Sequence, residues 1–177
     1  MHRMIKTICI IVVVCLLFAT SGASAAQYIY YDSGLRSPIV VVNVIDAMGV
    51  FGIAQTKWHN TNTCVQIVQG TGNDVSTIVA ENLASSWYGC YTPLSREHLF
   101  FWGRAYKCKI TLNTQLLANK SATFRASVLV HEFGHAFCLD DNPSSGNLSI
   151  MNYDRDRNYL SWPTTDDIAG VNYAYGE

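Results

Sequence analysis

Charge is scarce in this 177-residue chain. Only 14% of its residues are Asp, Glu, Lys or Arg, and the formal net charge is −1. There is no basic run, so nothing is set to pair with a nucleic-acid backbone, and nucleic acid is not an expected partner. Beyond the N-terminus there is no second long apolar stretch, which excludes a polytopic membrane protein. No repeat or low-complexity tract is visible, which excludes a solenoid or a long linker. No Cys-x-x-Cys pair occurs, and that argues against a zinc site built from four thiolates. Finally, no histidine follows His135.

What is present begins with residues 1–26, which read as a signal peptide. Arg3 and Lys6 give a basic start, Thr7 to Ala19 form an apolar core too short to span a bilayer comfortably, and Ser24-Ala25-Ala26 offers small residues for cleavage. Cys15 lies inside the apolar core without the small residues that precede a lipoprotein anchor. The alternative, an uncleaved membrane anchor, would keep this segment. Cleavage leaves one domain, residues 27–177, with ten basic residues against thirteen acidic ones, a net charge of about −3. The product is expected to be secreted, extracellular or periplasmic, without a stable membrane anchor, and monomeric.

Four cysteines remain in the mature chain: Cys64, Cys90, Cys108 and Cys138. An even number in a secreted protein reads as two disulfides. Topology suggests Cys108–Cys138 and Cys64–Cys90. Cys108 lies near the start of a strand and Cys138 near the end of the helix after it, and such a strand and helix run back on each other.

The chemistry sits at His131-Glu132-Phe133-Gly134-His135. A helix puts residues four apart on one face, so both imidazoles can converge on one zinc ion. Glu132 stands beside the metal and can take a proton from a zinc-bound water. Catalytic zinc usually takes three protein ligands. With no later histidine, a downstream third ligand is a carboxylate among Asp140, Asp141, Asp154, Asp156, Asp166, Asp167 and Glu177, or less readily a thiol or tyrosine.

HEFGHAFCLDD resembles the metzincin motif HExxHxxGxxH, and HEFGHA-x-x-LD resembles its matrixin form. Counting six residues from His135 lands on Asp141, and some small snapalysin-type enzymes carry aspartate there. Ser149-Ile150-Met151 resembles the Met-turn that lies beneath the metal, and Asp166 to Val171 with Tyr175-Gly176 resembles the matrixin C-terminal helix. The likeness is strong from about Val128 onward and weak before it. It implies metal ligands His131, His135 and Asp141, with Glu132 as the base. Ser-Ile-Met-Asn-Tyr also resembles the turn of astacins and serralysins, which implies a catalytic Tyr153 near the zinc, donating to a developing oxyanion. One departure is Cys138 at the position of the family's glycine, where the chain must turn with positive φ; a disulfide could hold that turn.

Coarse patterning predicts a first strand at Tyr28 to Tyr31 and a long apolar helix from Ile39 to about His59. Strands follow at Cys64 to Val68, Val75 to Val79 and Trp87 to Tyr91 (an edge strand), with one more within Phe100 to Leu112. Then come a metal-binding helix, Ala122 to Cys138, a loop to Met151, and a helix from Thr165 to Tyr173. This order fits an α/β (α+β) metzincin-like sandwich with a mixed twisted sheet. Asp154-Arg155-Asp156-Arg157 reads as a solvated loop, its arginines arguing against a calcium cage. His59 and His98 read as polar helix-end and loop residues, and Asp140 as a brace of the turn after the helix.

The expected function is a secreted zinc-dependent endopeptidase acting on a protein or peptide substrate laid near Trp87 to Pro93. One alternative is an aspzincin-like peptidase with Asp166 or Asp167 as third ligand. Another is a catalytically weak or non-catalytic binding module on a metzincin fold, against which the intact Glu132 speaks. A metal-stabilised structural protein would need a closed site.

Overall fold

The computed structural model describes residues 28–96 and 103–176. The expected signal peptide, His98 and Glu177 lie outside the described residues. Five strands form one mixed sheet: β1 (Ile39–Val44), β2 (Gln66–Gln69), β3 (Ser76–Glu81), β4 (Gly89–Arg96) and β5 (Ala105–Asn113), in the order β2-β1-β3-β5-β4. The pairs β1–β2, β1–β3 and β3–β5 are parallel, while β4 runs antiparallel to β5 with Tyr91 opposite Ile110. The helices are α1 (Phe51–His59), α2 (Thr114–Leu117), α3 (Ala122–Ala136) and α4 (Thr165–Tyr175), with a 3₁₀ segment at Pro143–Leu148. The mixed α/β class and the edge position of β4 agree with the sequence reading. None of the described helices is long and apolar enough to cross a membrane.

The long helix expected from Ile39 to His59 is instead a strand, a turn and a short helix. Ile39-Val40-Val41-Val42 is β-branched throughout, which restricts χ1 in a helix and suits a pleated surface. Burial alternates accordingly, with Val40 and Val42 inside and Ile39 and Val41 outside. The break falls at Met48 and Gly49, both with positive φ (51° and 75°), and the Asp46 carboxylate accepts from the Met48 amide at 2.7 Å. The first expected strand shrinks to a single bridge, Tyr30 to Leu139. Its backbone is stitched to the end of α3 by Tyr31 N–H to Cys138 O (2.8 Å) and Asp140 N–H to Ile29 O (2.8 Å).

α3 is the central element. Ser121 caps it, its hydroxyl accepting from the Phe124 amide at 3.0 Å. One side buries Leu129, Val130 and Phe133 against Ile78, Ile110 and Leu112 of the sheet and Trp58 of α1. The Trp58 indole donates to the Val130 carbonyl (3.0 Å), which ties the two helices together.

The expected disulfides are not formed; all four described cysteines are free thiols. Cys64 leads into β2 at one sheet edge, and Cys90 lies on β4 at the other. Four strand spacings separate those edges, about 19 Å against the ~7 Å limit of a disulfide. Cys138 Sγ rests on the Leu35 carbonyl (3.6 Å), and Leu35 bridges Ala105, three residues or about 10 Å along β5 from Cys108.

Candidate metal centre and cleft

α3 ends in a turn that delivers the third candidate ligand. Cys138 has φ 68°, so it adopts the left-handed conformation expected where the metzincin motif has glycine. Two bonds hold it: Leu139 N–H to Gly134 O (2.9 Å) and Cys138 N–H to His135 O (3.2 Å). These are the paired contacts of a Schellman terminus, and they take the place of the expected crosslink. Space also matters. A Cβ on Gly34 would lie 2.6 Å from the Cys138 backbone nitrogen, so only glycine lets the N-terminal segment close over this turn. Asp140 Oδ1 then accepts from the Asp141 amide at 2.8 Å, the bracing role read for it.

His131, His135 and Asp141 converge, their ligand atoms all within 4.8 Å of one another. Each imidazole is fixed by its other nitrogen. His131 Nδ1 meets the Ile150 carbonyl at 3.0 Å, and His135 Nδ1 meets the Leu139 carbonyl at 2.8 Å. A carbonyl only accepts, so both Nδ1 atoms donate, and a neutral ring then presents a lone pair at Nε2. Burial, reinforced by its neighbour His131, pulls the His135 pKa down to about 4, so that ring is neutral at pH 7. Burial alone would raise the Asp141 carboxyl, but positive charge at His131 and His135 outweighs it and holds the group below its usual range. Asp141 Oδ1 lies 3.2 Å from His131 Nε2 and 3.8 Å from His135 Nε2. This oxygen is buried with no hydrogen-bond donor. The 3.2 Å contact counts as an ion pair only for a protonated imidazole, whereas the neutral tautomer makes it acceptor against acceptor. Three acceptors facing one another require a cation. The spacing suits zinc, whose tetrahedral ligand–ligand edges are about 3.3 Å for bonds of ~2.0 Å.

Met151 lies directly beneath α3, where a Cβ on Gly134 would collide with its Sδ. The Met-turn is clamped by Asp167. Its carboxylate accepts from the Ser149 hydroxyl (2.6 Å), the Ile150 amide (2.9 Å) and the Thr164 amide and hydroxyl (2.7 and 2.8 Å). The last two form the capping box of α4. Neither Asp166 nor Asp167 belongs to the metal-ligand cluster. The aspzincin-like alternative is therefore corrected: Asp167 organises the turn under the site. His59 is likewise no ligand, as its Nε2 accepts from the Ile67 amide at 2.9 Å.

The cluster opens into a cleft of about 590 Å³ beside β4, walled by Tyr31, Trp87, Tyr88, Tyr91 and Tyr153. Tyr153 stands in this wall, 46% exposed. Glu132 also faces the cleft but is only 4% exposed, and a Cβ on Gly89 would lie 2.5 Å from its Oε1. Burial pushes its pKa up to about 7, with the His131 charge working against that rise.

The Asp154–Arg157 segment is not the solvated loop expected. Arg155 is buried and donates to Asn152 O (2.7 Å), Ser127 O (2.9 Å) and Ser127 Oγ (3.0 Å), anchoring the segment to α3. Arg157 lines the cleft. Both escaped the sequence reading because alternating charge looks solvated; the only available signal was their position just past the Met-turn. Gly89 carried no signal at all.

No family profile matches the chain, and no curated protein matches it. Among solved structures it is similar to a chain of the GM1 bound form of the ECX AB5 holotoxin, with a TM-score of 0.50 and 14% identity over 83% of this chain and 84% of that one. At that identity the likeness concerns the fold alone. The assembly is titled for a ligand it holds, which corrects the expectation of an endopeptidase driven by a Glu132-activated water and turns it toward the binding-module alternative. The physical reason lies in the motif itself. Two histidines, a carboxylate and a Met-turn specify a metal site, and a metal site serves holding as well as hydrolysis. An intact Glu132 does not discriminate between them.

Proposed function

We propose that the chain is a secreted, metal-dependent binding module on a metzincin-like fold, catalytically weak, that holds an extended peptide along β4. Zinc would be held by His131, His135 and Asp141. When bound, it supplies a positive centre for an oxygen donor of the ligand. The observation that carries the reading is the set of three acceptors converging without a donor.

The rest of the cleft suits holding. β4 is a sheet edge with β5 on one side only, so its outer backbone groups are open to an added strand. Five aromatic side chains wall the groove, and such rings give large contact area at low entropic cost. The HEFGH segment, Asp141 and Met151 support the metzincin-like arrangement, and the N-terminal apolar stretch supports secretion.

The test is direct. Zinc content is measured on the purified mature chain, and binding of a fluorescent library of extended octapeptides is followed with and without a chelator. One equivalent of zinc and chelator-sensitive peptide binding are expected. Asp141→Ala should lose zinc affinity by more than the roughly 10–100-fold typical of outer-shell changes. Sustained, chelator-sensitive cleavage of a general protein substrate would refute the reading, as would peptide binding indifferent to zinc.

A further inference from the structure

Arg157 presents an unusual combination beside the metal cluster. Its guanidinium carbon lies 5.0 Å from the Tyr88 ring centroid and 5.6 Å from that of Phe124. Those rings meet edge to face, 5.0 Å apart. Lys120 approaches the same pair, its Nζ 5.1 Å from Phe124 and 5.9 Å from Tyr88. Two cations therefore share one aromatic platform at the rim of the cleft. The rings fix the Arg157 plane and attract its charge. They provide no hydrogen-bond acceptor in that plane. Its Nε is buried with no hydrogen-bond partner. Asp154, Glu132 and Asp141 act on it electrostatically, but among the described residues none forms an ion pair with it.

A guanidinium held flat, partly buried and without a carboxylate in contact is a preorganised fork for one. Arg155 does not compete for that ligand, because its donors are taken by Asn152 and Ser127. Arg157 is rooted in the segment that Arg155 anchors to α3, and it lines the same cleft as His131, Glu132 and Tyr153. An extended peptide on β4 that meets the metal with its backbone would bring a neighbouring side chain against the Tyr88 wall.

We infer that Arg157, assisted by Lys120, selects ligands carrying an acidic side chain next to the residue that meets the metal. This rests on the proposed binding role and specifies its ligand class. The selective contact is a charge-assisted, bidentate pair with a carboxylate, and the aromatic platform rejects a ligand that brings a second cation there.

The probe is a set of fluorescein-labelled extended octapeptides that differ at one position in turn, carrying Glu, Gln, Leu or Lys, titrated against the zinc-loaded mature chain. At one position the Glu peptide should bind about tenfold more tightly than the Gln peptide, as a buried charge-assisted pair provides. The Lys peptide should bind least. Arg157→Met, which preserves the packing on Tyr88 and Phe124, should abolish the Glu preference while the zinc content stays at one equivalent. Arg157→Lys should restore part of it. Equal binding of Glu and Gln peptides by the wild-type chain would overturn the inference while leaving the binding role intact, and so would a Glu preference that survives Arg157→Met with Lys120→Met. Failure of every peptide to bind the zinc-loaded chain would overturn both.

Discussion

Replacing Glu132 by glutamine should stabilise the metal-free protein at alkaline pH and leave it unchanged in acid. Glu132 is 4% exposed and packed between Val128 and Gly89. Burial lifts its pKa from an ordinary 4.5 to about 7 in the fold. A group whose folded pKa is raised contributes stability below its unfolded pKa, and that contribution is lost as pH climbs through the folded value. Here the loss runs from about pH 4.5 to about pH 7. The difference between those values corresponds to about 3 kcal/mol. Glutamine matches the protonated acid in shape and cannot ionise. The stability gain of Glu132→Gln should therefore be near zero at pH 4 and about 3 kcal/mol at pH 8. For a domain of this size, that gain is roughly 6–12 °C in Tm. His135 tilts the absolute profile the other way, since its pKa falls to about 4 and its contribution is lost as pH drops from about 6.5. That slope is common to both chains and cancels in their difference. Urea unfolding of the chelator-stripped proteins at pH 4, 6 and 8 gives the result. Zinc should shrink the alkaline gap, because a cation at the cluster favours the ionised carboxylate. A difference that does not vary with pH, or a variant less stable at pH 8, would refute the reasoning.

Asp167→Asn should cost about 3 kcal/mol in urea unfolding and lower zinc affinity, because one carboxylate receives four donors beneath the site. Gly34→Ala should destabilise the fold by roughly 1–3 kcal/mol in thermal melts, since its Cβ would lie 2.6 Å from the backbone nitrogen of Cys138, which cannot yield as a flexible side chain could. Brief iodoacetamide treatment of the native chain at pH 8 should label Cys64 and Cys90 before Cys108, whose thiol is buried and pushed up to about 12. Mass mapping that finds Cys108 alkylated first would contradict this placement.

The site was legible because its ligands are close in sequence. His131 and His135 are one helical turn apart, and Asp141 follows through a short turn whose geometry the motif encodes, so local rules sufficed. The sheet partners were harder. Ile39 to Val44 offered apolar residues at helical as well as strand spacing, and the serine–proline start favoured a helix; pairing with β2 and β3 decided otherwise. Cysteine pairing failed for a related reason: compartment and parity say that disulfides are permitted, while strand order sets the distance. Arg155 shows the limit of composition. Flanked by aspartates, it looks solvated, but three acceptors on Asn152 and Ser127 compensate its burial. Nothing near Arg155 in sequence predicts Ser127, because the contact is made across the fold.

The same long-range wiring explains how the C-terminal helix bears on the metal cluster. The Asp167 carboxylate caps α4 through Thr164 and at once holds the Ile150 amide and the Ser149 hydroxyl. That fixes the Ile150 peptide, whose carbonyl takes the His131 Nδ1 proton and so turns the Nε2 lone pair toward Asp141. Met151, the next residue, fills the space under Gly134, and the Asn142 amide bonds the Met151 carbonyl at 3.0 Å, just after Asp141. Each link is short, directional and buried. Displacement of Asp167 would therefore be felt at both His131 and Asp141, although Asp167 belongs to neither the cluster nor the cleft. A helix cap and a metal ligand are in this way set by one carboxylate, so the loss of stability and the loss of zinc affinity in Asp167→Asn should appear together and in proportion.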